Sequence, residues 1–253
     1  MLATIGSLLF WAFIAVSSVL LFPVAVLIWL VTRPFDPRTR ALHLFTCFWA
    51  SLYTWLNPAW RVRVSGREHI RRDATYVIVV NHLSLVDILV LFRLFVPFSW
   101  VSKVENFRVP FIGWNMRLNG YIPLRRGDKA SAKAMMDACR STLREGTSVM
   151  MFPEGTRSRT GELQPFKPGA FALALDTGVP LLPVVLDGSA QALPKRGWVL
   201  HGRHVITVEV LPEIEPAPGA DVAELTEDVR GVFVQAIART RGVAAPGPAD
   251  SSA

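Results

Sequence analysis

The sequence predicts an α/β domain whose mostly parallel or mixed sheet is covered by helices, preceded by an N-terminal membrane-embedded two-helix segment. Two observations lead to this fold class. After Trp60, short apolar runs rich in β-branched residues alternate with helical patterns, as in sheets covered by helices. In residues 1–60, two long apolar segments lack Asp, Glu, Lys and Arg. The 253 residues suffice for one domain of about 200 residues and an appendage.

The first segment, residues 1–32, contains no charged side chain. As a helix it would be roughly 45 Å long, more than the hydrocarbon core of a membrane requires, and Pro23 could kink or split it. No basic residue precedes the apolar run and no small-residue cleavage site follows it, so we interpret it as a retained anchor and not as a signal peptide. The arginines that follow, Arg33, Arg38 and Arg40, predict location in the cell (inner) membrane with the following domain facing the cytoplasm.

The second segment, Ala41 to Trp60, predicts an amphipathic helix. Its polar side chains gather on one side of a helical projection, opposite an apolar stripe formed by Leu42, Phe45, Phe48, Trp49, Leu52, Trp55 and Leu56. This pattern favours a helix that lies in the membrane interface or enters one leaflet, with a second complete span as the alternative. Residues 1–60 are therefore assigned to the membrane anchor.

Residues 61–240 predict the α/β domain. The predicted strands are Arg61–Val64, Tyr76–Val80, Phe98–Ser102, Gly120–Leu124, Ser148–Phe152, Leu182–Leu186 and Val205–Leu211. The predicted helices are Leu85–Phe95, Phe111–Met116, Ala130–Arg144, Gly169–Thr177 and Ala223–Arg239. From Arg241 onward Ala, Pro, Gly and Ser dominate, which predicts a disordered tail over residues 241–253.

The overall composition excludes several functional classes. The two cysteines are far apart, which argues against a disulfide framework and favours a reducing compartment. The net charge of +7 suits an anionic membrane surface or a phosphate-bearing substrate as well as nucleic acid. Because no RNP-like, zinc-finger or helix-turn-helix pattern accompanies this charge, we predict no nucleic-acid partner.

A histidine and a carboxylate stand five residues apart where a predicted strand gives way to a helix. The histidine is His82 and the carboxylate is Asp87. An imidazole at such a corner can accept a proton, and a carboxylate can orient it. No G-x-S-x-G nucleophile elbow is present, so the substrate would have to supply the hydroxyl. The alternative interpretation is purely structural: Ser84 and Asp87 form a capping box, and His82 is a half-buried histidine bonded to a loop.

Three further motifs follow in the chain. Phe152 to Arg159 leaves an apolar strand and turns through Pro and Gly into two arginines, and Gly120 to Arg126 is another strand that ends in arginines. Arginines at the carboxyl ends of strands suit a bound phosphate, although a solvated turn with a local ion pair is the alternative. The run Val179 to Leu186 is a proline-bounded apolar strand and looks structural by itself.

Together the four motifs resemble those of the glycerolipid acyltransferase family, the membrane-bound lysophosphatidate acyltransferases. The family blocks N-H-x4-D, G-x-φ-φ-φ-x-R, F-P-E-G-T-R-S and V-P-φ-φ-P-V occur here in that order between Asn81 and Leu186. Ser102-Lys103-x-Glu105 and Leu193-Pro194-Lys195 are also similar to family stretches. The chain departs from the pattern at Arg125, where many relatives have an acidic residue, and this extra cation could tighten phosphate binding or alter the preferred head group.

The resemblance implies both an activity and a site. His82 is the implied general base and Asp87 its orienting partner. The implied substrate-binding residues are Lys103, Arg126, Glu154, Gly155, Thr156 and Arg157, with Pro180 shaping the site. The implied reaction moves an acyl group from acyl-CoA or acyl carrier protein to 1-acyl-glycerol 3-phosphate and yields phosphatidate for phospholipid biosynthesis. The implied partners are this donor, the lysophospholipid acceptor and membrane lipids. Thiolate is a good leaving group, so we expect no metal or other cofactor.

Three alternatives remain at this stage. The acceptor could be another lyso-lipid, such as a lyso-ornithine lipid. The same His–Asp pair could also serve a membrane lipid hydrolase that uses water. A metal enzyme could use the pair His201-x-x-His204, although no carboxylate in a zincin pattern accompanies it.

Overall fold

A computed structural model describes residues 2–195 and 197–243, and it confirms the predicted α/β class. Its seven strands are β1 (Trp60–Ser65), β2 (Val77–Val80), β3 (Phe98–Lys103), β4 (Ile122–Leu124), β5 (Ser148–Met151), β6 (Leu181–Asp187) and β7 (His204–Val210). They form one sheet in the order β1-β7-β6-β2-β5-β3-β4. All neighbouring strands are parallel except β6 and β7, which are antiparallel.

The described residues form eight α-helices. These are α1 (Leu2–Thr32), α2 (Arg40–Trp55), α3 (Val86–Leu91), α4 (Ile112–Leu118), α5 (Lys129–Arg144), α6 (Gly169–Thr177), α7 (Ser189–Ala192) and α8 (Val222–Arg241). The predicted helix Leu85–Phe95 is shorter as an α-helix and continues as a 3-10 turn over Phe92–Leu94. The four-residue helix α7 was not predicted, because a single turn carries no periodic pattern.

Two predicted boundaries are wrong. The second segment ends as a helix at Trp55 and not at Trp60, which is already the first residue of β1. Pro58 explains the early end, since proline disfavours helical geometry in the residue before it. At the other end of the chain, α8 includes Arg241, whose guanidinium bonds Asp187 at 2.9 Å, so the predicted tail does not start there. Residues 244–253 of the predicted tail lie outside the described residues.

The central strands are buried on both faces, which explains why they read as continuous apolar runs. In β2, Ile78 and Val80 face one layer of the core, which contains α1, α2 and α3. Val77 and Val79 face the opposite layer, which contains α5, α6 and α8. Since β2, β5, β3 and β4 are parallel neighbours, the loops that follow them meet at one edge of the sheet.

Helix α1 packs lengthwise against the rest of the protein. Near its start, the backbone N–H of Leu200 donates to Ser7 Oγ at 2.8 Å, and Trp11 Nε1 donates to the Trp198 carbonyl at 2.7 Å. Farther along, the Phe22 ring lies 5.5 Å from that of Trp114. The remaining surface of α1 is apolar and exposed. Within Ala3–Thr32, an 18-residue window has a mean hydropathy of 2.6, so the helix is long and apolar enough to cross a membrane.

Helix α2 buries its polar side and exposes much of its apolar side. Thr46 Oγ1 accepts hydrogen bonds from Asn115 Nδ2 and Asn119 Nδ2, at 3.0 and 3.1 Å. The exposed residues include Leu44, Phe48, Trp55 and Leu56. The predicted apolar stripe is therefore only partly correct, since Leu42 and Trp49 are buried with the polar side chains. An exposed apolar face of this kind is expected where lipid, and not water, surrounds the helix.

Candidate active site

The His82–Asp87 pair forms at the junction of β2 and α3. His82 Nδ1 lies 2.8 Å from Asp87 Oδ2, and the Asp87 side chain is fully buried. The same Oδ2 accepts the backbone N–H groups of Leu83 and Ser84 at 2.7 and 2.8 Å, while Ser189 Oγ donates to Oδ1. The capping interpretation and the catalytic interpretation are thus both compatible with the geometry, because one carboxylate fixes the start of α3 and orients the imidazole.

This contact selects the tautomer of the neutral His82 ring. A carboxylate only accepts hydrogen bonds, so Nδ1 carries the proton and Nε2 keeps a lone pair. The ring stacks on Phe152, with 3.9 Å between the ring centroids and 15° between the planes. Asn81 holds the end of β2 against β6 by exchanging two hydrogen bonds with the backbone of Leu186, at 2.9 and 2.7 Å. The imidazole is therefore held in one orientation.

Glu154 contacts the protein's own backbone. Its Oε1 accepts the His82 N–H at 2.6 Å, and its Oε2 accepts the Gln164 N–H at 3.0 Å. The residue is only 4% exposed, and this burial raises its pKa to about 7, although the two N–H donors act in the opposite direction. Glu154 thereby ties the His82 loop to the loop that follows β5.

A cleft of about 430 Å³ opens beyond the ends of β3, β4 and β5. Phe152, whose ring stacks on His82, is one of its lining residues, whereas His82 itself does not line it. Its floor is apolar, and its rim carries Lys103, Arg125, Arg126, Lys129 and Lys167. We call these five side chains the cationic rim. Partial burial lowers the pKa of Arg126, and the nearby Arg157 also lowers it, while Glu105 acts in the opposite direction.

The structure brings three of the six predicted binding residues to this cleft. Lys103, Arg126 and Gly155 line it, and Arg157 is half-buried close to Arg126. Gly155 has a φ of +68°, and a Cβ there would come within 2.9 Å of Lys167 Nζ, so both conformation and space favour glycine. Thr156 is different: it does not line the cleft, and its Oγ1 accepts from Lys195 Nζ at 3.2 Å.

Sequence reasoning missed several residues of the site. Phe152 lies inside a motif, but nothing in the sequence indicates that its ring supports His82. Ser189 is 102 positions from Asp87 and belongs to no motif, so only the fold brings its hydroxyl to the carboxylate. The proposed metal pair, His201 and His204, gains no third ligand: no group of three His, Cys, Asp or Glu side chains suited to a metal occurs among the described residues.

Comparison with known proteins adds independent information. The profile of the Acyltransferase family matches residues 61–187. The 1-acyl-sn-glycerol-3-phosphate acyltransferase of Chlamydomonas reinhardtii is 36% identical over 87% of this chain and 67% of that protein. A chloroplastic counterpart from Arabidopsis thaliana is 34% identical over 80% of this chain and 56% of its own length. The counterpart from Pseudomonas aeruginosa is 33% identical over 77% of this chain and 76% of its own length.

A solved structure supports the fold. The crystal structure of the 1-acyl-sn-glycerophosphate (LPA) acyltransferase from Thermotoga maritima superposes with a TM-score of 0.77 over 95% of both chains, at 23% identity. The sequence matches carry the family assignment, because two of the three relatives above are covered over two thirds or more of their length. The chain therefore belongs to the acyltransferase family.

Proposed function

We propose that the protein transfers an acyl group from a thioester to the free hydroxyl of 1-acyl-glycerol 3-phosphate, which yields phosphatidate for phospholipid biosynthesis. One observation carries this proposal: an imidazole oriented by Asp87 stacks on Phe152, which lines a cleft with an apolar floor and a cationic rim. The base suits a hydroxyl acceptor, and the rim suits a phosphate head group. The names of the related proteins describe the same reaction.

The proposed reaction is a direct transfer. His82 Nε2 accepts the proton of the acceptor hydroxyl while its oxygen attacks the thioester carbonyl. Asp87 stabilises the imidazolium that forms. The tetrahedral intermediate then collapses, the C–S bond breaks, and the leaving thiolate takes the proton from His82. The chain needs no nucleophile of its own, and Cys47 and Cys139 are both buried.

The acceptor is held through its phosphate. We assign Arg126, Arg157 and Lys103 to this anion, because guanidinium and ammonium groups form charge-assisted hydrogen bonds with phosphate oxygens. Gly155 lets the backbone turn closely past Lys167. Glu154 acts indirectly, because it holds the His82 loop. Thr156 also acts indirectly, because it keeps Lys195 against the Arg157 carbonyl.

The donor is the thioester of either coenzyme A or acyl carrier protein, and the enzyme works at the cytoplasmic side of the cell (inner) membrane. The exposed apolar faces of α1 and α2 support membrane embedding. Arg33, Arg38 and Arg40 support a cytoplasmic location for the sheet domain of residues 61–240. Protease added to sealed right-side-out vesicles should spare this domain, whereas its complete digestion would contradict the orientation.

One assay tests the reaction itself. Membranes that contain the protein are incubated with labelled lysophosphatidate and an acyl-CoA, and the products are separated by thin-layer chromatography. Labelled phosphatidate is the expected product. Release of free fatty acid without phosphatidate would instead indicate a hydrolase. Acylation of a lyso-ornithine lipid in place of lysophosphatidate would contradict the proposed acceptor.

A further inference from the structure

The cationic rim carries more charge than one acceptor phosphate requires. Five cations line the cleft and Asp128 is the one acidic residue in its lining. Asp128 is already used, since its Oδ1 accepts the Ser131 N–H at 3.0 Å at the start of α5. None of the five cations forms a salt bridge within the described residues. A phosphate monoester carries only about −1.5 to −2 charges near neutral pH, so the cleft has room for a second anion.

The rim also extends farther than the acceptor can reach. The order β2-β5-β3-β4 puts the end of β4 three strand spacings from the end of β2, roughly 14 Å. In the acceptor, about four covalent bonds separate the hydroxyl oxygen from the phosphorus, so the phosphate lies within about 5 Å of the attacking atom. Arg126 and Arg157, whose charges interact, can serve this phosphate. Arg125, Arg126 and Lys129 all follow β4 and are exposed. With Arg126 close to Arg157, Arg125 and Lys129 remain for a ligand at this end of the cleft.

We propose that Arg125 and Lys129 bind the phosphate of the phosphopantetheine arm of the acyl donor. This inference rests on the proposed function. About twelve atoms separate sulfur from phosphorus in this arm, which reaches about as far as four extended residues, roughly 14 Å. With the thioester beside His82, the arm crosses the cleft and its phosphate arrives at the exposed end of the rim.

The lining of the cleft fits such an arm. Between the two ends, the floor is formed by apolar side chains that include Leu124, Met135, Met151 and Ala170. These suit the methylene and dimethyl groups of pantetheine. The phosphate end is open to water, as a donor needs if it arrives from solution while the acceptor comes from the membrane. Coenzyme A and acyl carrier protein share this phosphate, so the site serves either donor.

The test separates the donor phosphate from the acceptor phosphate. Arg125→Gln, Lys129→Gln and the double variant are compared with Lys133→Gln, which removes an exposed charge from α5 outside the cleft. The donors are acyl-CoA, acyl carrier protein thioester and the acyl thioester of N-acetylcysteamine, which has no phosphate. The double variant should raise the KM for the two phosphate-bearing donors about tenfold. It should leave the KM for lysophosphatidate and kcat/KM for the N-acetylcysteamine thioester near the values of the Lys133 control.

Each outcome decides between assignments. A higher KM for only one of the two phosphate-bearing donors supports the site and identifies its natural source. Unchanged KM values for both donors would overturn the inference. So would a higher KM for lysophosphatidate that persists with the phosphate-free thioester, because the two cations would then belong to the acceptor. If wild-type protein forms no phosphatidate from any thioester, the proposed function itself fails, and this result differs from all the others.

Discussion

The two ends of the candidate active site are built in opposite ways. At the His82 end, hydrogen bonds within the protein hold the imidazole, Asp87 and Glu154. At the other end, the cationic rim has no salt bridge among the described residues. A group held in one orientation can perform chemistry, whereas charges without protein partners can bind ligands. Changes at the first end should therefore lower kcat, and changes at the second end should raise KM.

The largest effect is expected for His82→Ala. Removing the base should lower kcat by at least about a thousandfold, because the acceptor hydroxyl loses the group that takes its proton. Initial rates of phosphatidate formation measure this loss, with His201→Ala, an exposed histidine outside the cleft, as the matched control. Retention of more than about a tenth of wild-type activity would contradict the assigned mechanism.

Asp87→Asn should also lower kcat, by on the order of a hundredfold or more, as loss of general acid–base catalysis does. The amide keeps an oxygen for the N–H groups of Leu83 and Ser84 but no longer fixes the imidazole as a carboxylate does. Thermal melting in detergent should accompany the kinetic measurement, since Asp87 also caps α3. A kcat close to that of wild type in a folded variant would show that Asp87 is only a cap.

Arg157→Ala should act on KM. A charge-assisted hydrogen bond is worth about 1.5–3 kcal/mol, so its loss should raise the KM for lysophosphatidate roughly ten- to a hundredfold. The KM for the thioester should change less, and Arg126→Ala should behave similarly. Arg159→Ala serves as the control, because Arg159 is an exposed arginine in the same loop, whereas Arg157 is half-buried close to Arg126. Equal effects of the Arg157 and Arg159 variants would show that general surface charge is responsible.

The smallest effect concerns Glu154 and pH. Burial raises its pKa from 4.5 to about 7, so the folded protein binds this proton more tightly than the unfolded chain does. The contribution of this proton to the free energy of unfolding is complete below pH 4.5 and is lost as the pH rises through about 7. The total loss is on the order of 3 kcal/mol. The test is to measure the thermal stability of wild type and of Glu154→Gln in detergent, each at about pH 5 and at about pH 8. Wild type should lose more stability than the variant, and parallel losses would contradict the raised pKa.

The sequence was most informative where the structure is locally determined. All seven strands were predicted because each is a short run of apolar and β-branched residues, and the His82 motif because its members are close in sequence. Contacts between distant segments were not predictable, as the hydrogen bond from Ser189 to Asp87 illustrates. The division of the rim between Arg125 and Arg126 depends on the approach of Arg126 to Arg157, from a different loop, which no local pattern encodes.

Two helices of equal length show another limit. Helices α2 and α5 each contain 16 residues with apolar and polar sides. Helix α5 buries Met135, Cys139 and Leu143 in the usual way, whereas α2 buries polar residues such as His43 and Thr46. Periodicity identifies both helices, but it does not say whether water or lipid surrounds them. The polar side of α2 could be assigned to the protein interior only once α4 and its asparagines were in place.

The most direct test of the division between the two ends is acceptor selectivity. It is measured as kcat/KM for lysophosphatidate relative to monoacylglycerol, with one acyl-CoA, in wild type and in Arg157→Ala. Both acceptors present a hydroxyl to His82, but only lysophosphatidate offers a phosphate to the cations. Wild type should prefer lysophosphatidate strongly, and the preference should shrink roughly ten- to a hundredfold in the variant. Equal use of both acceptors by wild type would contradict the account.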